Sequence, residues 1–236
     1  MPPTPHIVVI ISANTEWQII KNHYQQSTGQ PSPLGEWFLQ SINLAGQAEP
    51  VIFFHGGWGK ISAAATAQYV IDRWQPDLLV NLGTCGGFRG QTEKGEILLV
   101  ERTMVYDIFE QIGDPITSLA HYTTELDLSW LAEPYPHPVT RTHIISADRD
   151  IMSADIAWLR RDFNASAADW ESAAIAFVAK QNRVRCLILR GVSDLVDAEE
   201  GEAYDGNRDV FVAGARQIMT HLAEALPHWL SLAKQK

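Results

Sequence analysis

A single α/β domain is predicted for this chain of 236 residues, and two observations predict it. Short β-branched apolar runs alternate with helix-like segments along most of the length, and no internal repeat, composition break or linker divides them. Residues 1–236 therefore read as one domain. A third observation locates the chemistry. Val184, Leu187, Ile188 and Leu189 leave too little polar alternation for a half-exposed strand, so that run reads as an interior parallel strand covered on both faces. It delivers the chain into Arg190-Gly191-Val192-Ser193-Asp194. Ligands of α/β sheets bind beyond the carboxyl ends of strands, which puts Ser193 and Asp194 at such an edge, half desolvated.

Each element follows in order. Ile7 to Ile11 predicts a buried first strand, and Ser12-Ala13-Asn14-Thr15-Glu16 a helix start. Trp37 to Leu44 and Val51 to His55 predict strands, divided by a turn over Ala45 to Pro50. Gly56-Gly57-Trp58-Gly59-Lys60 opens a helix over Ile61 to Trp74, whose alanines favour helix and permit close approach to a sheet; Pro76-Asp77 stops it. Leu78 to Leu82 is a buried strand running into Gly83-Thr84-Cys85-Gly86-Gly87, which reads as a turn where backbone can approach a ligand. Ile97 to Tyr106 continues as strand, and Gln111 to Pro138 reads as loop with short pieces of structure. Thr142 to Ile145 predicts a strand, Ile156 to Phe163 and Glu171 to Gln181 helices. A last helix over Val210 to Ala233 is expected to be interrupted at Pro227.

Composition narrows the function classes. With 46% hydrophobic and 19% charged residues the chain can bury one substantial core. A formal charge of -10 with no Lys/Arg cluster argues against a nucleic-acid or anionic-membrane surface. No apolar stretch approaches the roughly 20 residues of a membrane helix, and the prolines and lack of basic residues before His6 predict no signal peptide. Cys85 and Cys186 are the only cysteines and lie far apart in apolar runs, so no disulfide framework is expected and the reducing cytosol fits. Neither HExxH nor CxxC occurs, and no metal or organic cofactor is expected. Gly57, Gly59 and Lys60 fail the phosphate-loop pattern, which wants glycine at Phe54 and a hydroxyl at Ile61, and a dinucleotide fingerprint wants Gly or Ala at Ser62 and an acidic partner further on.

Four segments hold together instead: Gly57-Trp58-Gly59-Lys60, Asn81-Leu82-Gly83-Thr84-Cys85-Gly86-Gly87, Asp169-Trp170-Glu171-Ser172-Ala173-Ala174 and Arg190-Gly191-Val192-Ser193-Asp194. In this order and spacing they resemble the nucleoside phosphorylase superfamily, and within it the 5'-methylthioadenosine/S-adenosylhomocysteine nucleosidases, over nearly the whole chain. The resemblance implies a three-layer α/β/α domain around a twisted mixed sheet, and cleavage of the N-glycosidic bond of a purine nucleoside. It implies Asp194 as the general acid on the base, Ser193 as the neighbour that positions it, and Glu171 as the carboxylate on the ribose hydroxyls. Arg190 would orient the acidic cluster. Thr84 and Gly86, with Cys85 between them, would line the ribose and base pocket, and Asp169 and Trp170 would join the substrate-binding set. Glu16 corresponds, with a one-residue shift, to the residue that orients the attacking water.

Water rather than phosphate is suggested by Asn81, which stands where phosphorylases of the superfamily place an arginine. Departures lie in the substrate pocket. Asp150, followed by Ile151, falls where these nucleosidases stack an aromatic ring on adenine, and Arg208, with Phe211 one turn on, falls near a second pocket aromatic. A different base or 5' group is one reading of that change. Phosphorolysis, a futalosine-type substrate and a non-catalytic nucleoside-binding role are the alternatives. Taken alone, Ser193 and Asp194 read as turn or N-cap residues and Glu171 as a first-turn carboxylate capped by Asp169; Asp148-Arg149-Asp150 reads as a solvated charge run. Relatives pair as dimers or larger assemblies, which implies a homo-oligomer with Met104 to Phe109 at its interface.

Overall fold

The computed structural model describes residues 6–204 and 207–234, so Met1 to Pro5, which entered the reading of no signal peptide, lie outside the described residues. Along the chain run β1 (Ile7–Ile11), α1 (Asn14–His23), β2 (Gln30–Ser32), β3 (Gly35–Leu44), β4 (Gln47–His55), α2 (Lys60–Trp74), β5 (Leu78–Phe88) and β6 (Ile97–Val105). The remainder comprises α3 (Pro115–His121), β7 (Thr123–Glu125), β8 (Thr140–Ser146), α4 (Ile156–Phe163), β9 (Ala167–Asp169), α5 (Ser172–Gln181), β10 (Arg185–Val196) and α6 (Arg208–Lys234). All the strands belong to one mixed sheet in the order β10-β6-β8-β9-β5-β1-β4-β3-β2, with β7 on β6. β10 also lies parallel to β5 and antiparallel to β6. One half of the sheet thus closes on itself through β5, β10, β6, β8 and β9.

The apolar runs are continuous because both faces of the sheet are covered, and alternate residues of a strand point to opposite faces. Ile7, Val9 and Ile11 join a core with Trp17 and Ile20 of α1 and Leu222, Leu226 and Trp229 of α6. Val8 and Ile10 join another with Ala63, Ala67 and Val70 of α2 and Ile175 and Ala179 of α5. Among the described residues no helix is long and apolar enough to cross a membrane.

Several expectations need correction. Gly83 to Gly87 is not a turn: it is the second half of β5, paired with β10 from Gly83↔Arg190 to Gly87↔Leu195. Arg190 to Asp194 likewise lies inside β10 rather than beyond it, and Ser193 and Asp194 are buried, at 1% and 6% exposure, rather than half desolvated. The glycines provide clearance. A Cβ on Gly83 would meet Arg190 Nη1 at 1.7 Å, and one on Gly191 would meet Ile218 Cγ2 at 2.2 Å. The turn after β3 is shorter than expected, since β4 already begins at Gln47. Finally, α6 runs through Pro227. The missing N–H removes one helical bond, but Leu222, Ala223, Leu226, Trp229 and Leu230 bury the helix on both sides of it.

Candidate active site

A cleft of about 360 Å³ opens where β5, β9 and β10 come together with the start of α1 and the start of α6. Glu16, Thr84, Cys85, Gly86, Asp150, Ile151, Asp169, Trp170, Glu171, Ser193, Asp194, Arg208 and Phe211 all line it. Of the predicted site residues only Arg190 does not. It is 1% exposed and lies behind the wall.

Arg190 is the cation of an acidic cluster. Its Nε lies 2.8 Å from Asp169 Oδ2 and donates to Ser172 Oγ at 2.9 Å, while Nη2 donates to Asn81 Oδ1 at 2.6 Å and stands 4.0 Å from Glu171 Oε2. Asn81 is itself fixed by donating from Nδ2 to the Ile10 carbonyl at 3.0 Å. Asp169 ends β9 and accepts from the Ser172 amide at 3.2 Å, but the N-cap of α5 is Glu171 and not Asp169, and Glu171 lies before the first turn rather than in it. Glu171 Oε1 in turn accepts from the Gly59 amide at 3.0 Å. Gly59 has φ +88°, a conformation that favours glycine, and it opens α2 so that an amide faces the carboxylate.

Glu16 reaches the same cluster from α1. Its Oε2 accepts from the Ala13 amide at 3.4 Å, closing the helix start, while Oε1 accepts from the Thr84 amide at 2.7 Å and the Thr84 hydroxyl at 2.8 Å. Three carboxyls therefore surround one guanidinium in a buried space, and burial disfavours each charge. Burial raises the Glu16 pKa against the opposing pull of Arg190 and the hydrogen bonds from Thr84 and Ala13. Glu171 is pushed up to about 8, first by burial and then by repulsion from Asp169, with Arg190 opposing.

Asp194 belongs to a separate arrangement. The β5–β10 register shifts between Val192 and Asp194, a bulge of the kind that re-aims a side chain. Ser193 Oγ lies 2.6 Å from Asp194 Oδ1 and 3.2 Å from the Cys85 carbonyl. One hydroxyl hydrogen cannot serve both acceptors well. The hydroxyl can turn to either, toward Asp194 Oδ1 when that group is charged and toward the Cys85 carbonyl when it is not. Burial raises the Asp194 pKa, with the Ser193 hydrogen bond opposing. One side of the cleft can thus deliver a proton, and the other can hold hydroxyl groups or developing positive charge.

The rim adds residues that the sequence reading had not assigned to the pocket: Ala13, Trp58, Arg149, Ala168, Ala203 and Tyr204. Trp58 carried a signal, an aromatic between two glycines at a helix start; it is 59% exposed, and its ring centroid is 5.6 Å from that of Trp170. Of the charge run, Arg149 pairs with Asp155 and Asp148 lies 3.8 Å from Lys60, while Asp150 is exposed at the cleft.

The protein-family model of the phosphorylase superfamily matches residues 6–226. The chain is 24% identical over 188 residues to a 5'-methylthioadenosine/S-adenosylhomocysteine nucleosidase of Geobacillus sp. (strain WCH70), covering 75% of this chain and 81% of that protein. Its fold is similar to that of the Helicobacter pylori nucleosidase of the same name, solved with butyl-thio-DADMe-Immucillin-A, with TM-score 0.78 at 16% identity over 95% of this chain and 99% of the other. It is similar also to the Colwellia psychrerythraea nucleosidase in complex with adenine, with TM-score 0.74 at 20% identity over 99% of this chain and 98% of that one.

Proposed function

The chain belongs to the phosphorylase superfamily, and from that premise we propose that it hydrolyses the N-glycosidic bond of a purine nucleoside, giving free base and a ribose derivative. The observation that carries this reading is Asp194, a buried carboxyl in the cleft wall, whose burial favours the protonated form against the Ser193 hydrogen bond.

A purine leaves poorly as an anion, so a proton placed on N7 as the bond to C1' breaks lowers the barrier. Asp194 supplies it and becomes a carboxylate, and the Ser193 hydroxyl can turn from Cys85 to stabilise that charge. The sugar left behind is oxocarbenium-like. Glu171 holds the ribose hydroxyls, and Asp169 behind it offsets the positive charge, joined by Glu171 as the developing cation favours its ionisation. Glu16 orients a water toward C1' and takes its proton, a role suited to a carboxylate whose proton affinity is raised. Trp170 lies along the sugar, with Thr84, Cys85 and Gly86 beneath the sugar and base. Neither a metal nor an organic cofactor enters these steps.

Water is preferred to phosphate on electrostatic grounds. The amide and hydroxyl of Thr84, donors that an anion would use, are taken by Glu16. Arg190 is engaged by Asp169 and Asn81, and phosphate would meet three carboxyls. A substrate of the 5'-methylthioadenosine/S-adenosylhomocysteine type is supported by the names of the similar proteins, with Asp150, Ile151, Arg208 and Phe211 at the positions that would read its base and 5' group. The working unit is a homo-oligomer of single-domain chains in the cytoplasm. Exposed Phe109 supports an interface at Met104 to Phe109, and the free, buried Cys85 and Cys186 support a reducing compartment.

The test is a nucleoside panel scored for base release with and without phosphate. Phosphate-independent release, lost in Asp194→Asn, is expected. Binding without turnover across the panel would instead favour a nucleoside-binding protein.

A further inference from the structure

Asp194, at the bulge within β10, lies between two clamps. On one side the loop between β5 and β6 holds Val192, whose carbonyl accepts from the Gly95 amide at 2.8 Å and whose amide donates to the Glu96 carbonyl at 3.0 Å. On the other side the chain turns back after β10. Val196 bridges Gly201, and the Glu202 amide donates to the Leu195 carbonyl at 3.1 Å. The Glu202 side chain then doubles this contact. Its Oε2 accepts from the Leu195 amide at 3.2 Å and lies 3.2 Å from Lys94 Nζ, and its Oε1 lies 3.3 Å from Arg89 Nη2. One carboxylate thus ties the residue after Asp194 to the loop that holds the residues before it. The same return segment brings Tyr204 to the cleft.

We propose that Glu202 is a positioning residue for Asp194, acting in two ways: it fixes the bulged backbone at Ser193 and Asp194, and it holds a negative charge on the amide of Leu195, the residue next to Asp194. The proposal rests on Asp194 being the general acid. A hydrogen bond to a backbone amide would serve the first role alone. The second needs charge, and the groups that bear on the Asp194 proton are of both signs, in a cleft that Arg149 and Arg208 also line. Glu202 on the return segment and Asp150 after β8 favour the proton, whereas Lys94 on the β5–β6 loop and the Ser193 hydroxyl oppose it. Tyr204 contributes a neutral phenol, and the Cys85 thiol on β5, its pKa raised well above the ordinary value by burial, stays neutral. Arg89, held also by Asp197 at 2.7 Å, pairs with Glu202 rather than Asp194.

The experiment separates charge from tether. In Glu202→Gln an amide oxygen can still accept from Leu195, but the negative charge is gone and Lys94 is released. In Lys94→Gln the positive charge is removed instead. Carboxyl 13C titration, with the Asp194 signal identified by its absence in Asp194→Asn, is expected to move down in pH for Glu202→Gln and up for Lys94→Gln. Each shift should be roughly half a pH unit. Since Asp194 must carry the proton to act, the alkaline limb of kcat follows in the same directions while KM at low pH is unchanged. Glu202→Asp keeps charge but shortens the tether, so kcat falls about tenfold without a shift of the limb.

An Asp194 titration unmoved in both charge variants, or moved the same way in both, overturns the proposal and leaves Glu202 a structural link. A titration that moves as expected while the kcat limb stays put keeps the coupling and refutes Asp194 as the general acid. Thermal midpoints of the variants show that each is folded.

Discussion

Two sides of one cleft carry buried carboxyls, and only one of them holds a buried cation. Around Arg190 the groups Glu16, Asp169 and Glu171 form a network with several fixed donors. Asp194 faces the Ser193 hydroxyl, and the cation that opposes its proton, Lys94, is half exposed and shared with Glu202. Burial raises proton affinity on both sides, with different consequences. Within the Arg190 network a proton gained or lost redistributes charge among neighbours. At Asp194 the proton has one partner and an open cleft. The first arrangement suits binding and charge stabilisation, the second delivery of a proton.

The largest effect should come from breaking the delivery side. Asp194→Asn keeps shape and hydrogen-bonding capacity but has no proton of suitable acidity, so kcat for base release should fall about 10²- to 10⁴-fold with little change in KM. Steady-state assays check this, and a rate near wild type would remove the distinction between the two sides. Breaking the other side should cost stability first. Arg190→Met leaves Asp169 and its neighbours buried without their cation, a loss on the order of 3–5 kcal/mol in denaturant unfolding. Arg190→Lys should rescue little, because one ammonium cannot reach Asp169, Ser172 and Asn81 in the directions of the guanidinium.

A smaller change sharpens the contrast through pH. Glu171 rises from its ordinary 4.5 to about 8 in the folded chain, by burial first and repulsion from Asp169 second. The folded state therefore holds a proton that the unfolded state has released. Stability from this group is complete below about 4.5 and is lost as pH rises through about 8. Glu171→Gln cannot ionise, so its unfolding free energy should decline less than wild type across that window, by a few kcal/mol in order of magnitude. Parallel stability curves for the two proteins would show that Glu171 ionises freely in the folded state.

These two sides were unequally legible in the sequence. The alternation of runs gave the α/β class and placed Ile7–Ile11 and Ile156–Phe163 where the structure has them, because burial on both faces and helical periodicity leave local traces. The closure of β5, β10, β6, β8 and β9 left none. Gly83, Gly86 and Gly87 read as punctuation, yet they are clearance within a strand for Arg190, Ile151 and Thr92, and a single sequence does not tell a glycine that turns from one that makes room. The same ambiguity placed Ser193 and Asp194 past the strand instead of at a bulge within it. β9, three residues long and mostly alanine, has no periodicity to detect, although it carries Asp169 into the cluster. Tyr204 depends on a chain reversal fixed by Glu202, a contact that only the fold creates.

The smallest expected effect discriminates most finely, because it moves rate and pH dependence in opposite senses. Ser193→Ala removes a single hydrogen bond, worth about 0.5–1.5 kcal/mol and hence up to roughly tenfold in kcat. That bond favours the charged form of Asp194, so without it the proton is held more tightly. The alkaline limb of kcat should therefore move up in pH even as the plateau falls, because the carboxylate formed on proton transfer has lost its stabilising donor. A fall in kcat with the limb unmoved would mean that the Ser193 hydroxyl serves the Cys85 carbonyl and the bulge rather than the acid. A limb moving down would place another group in control of the proton.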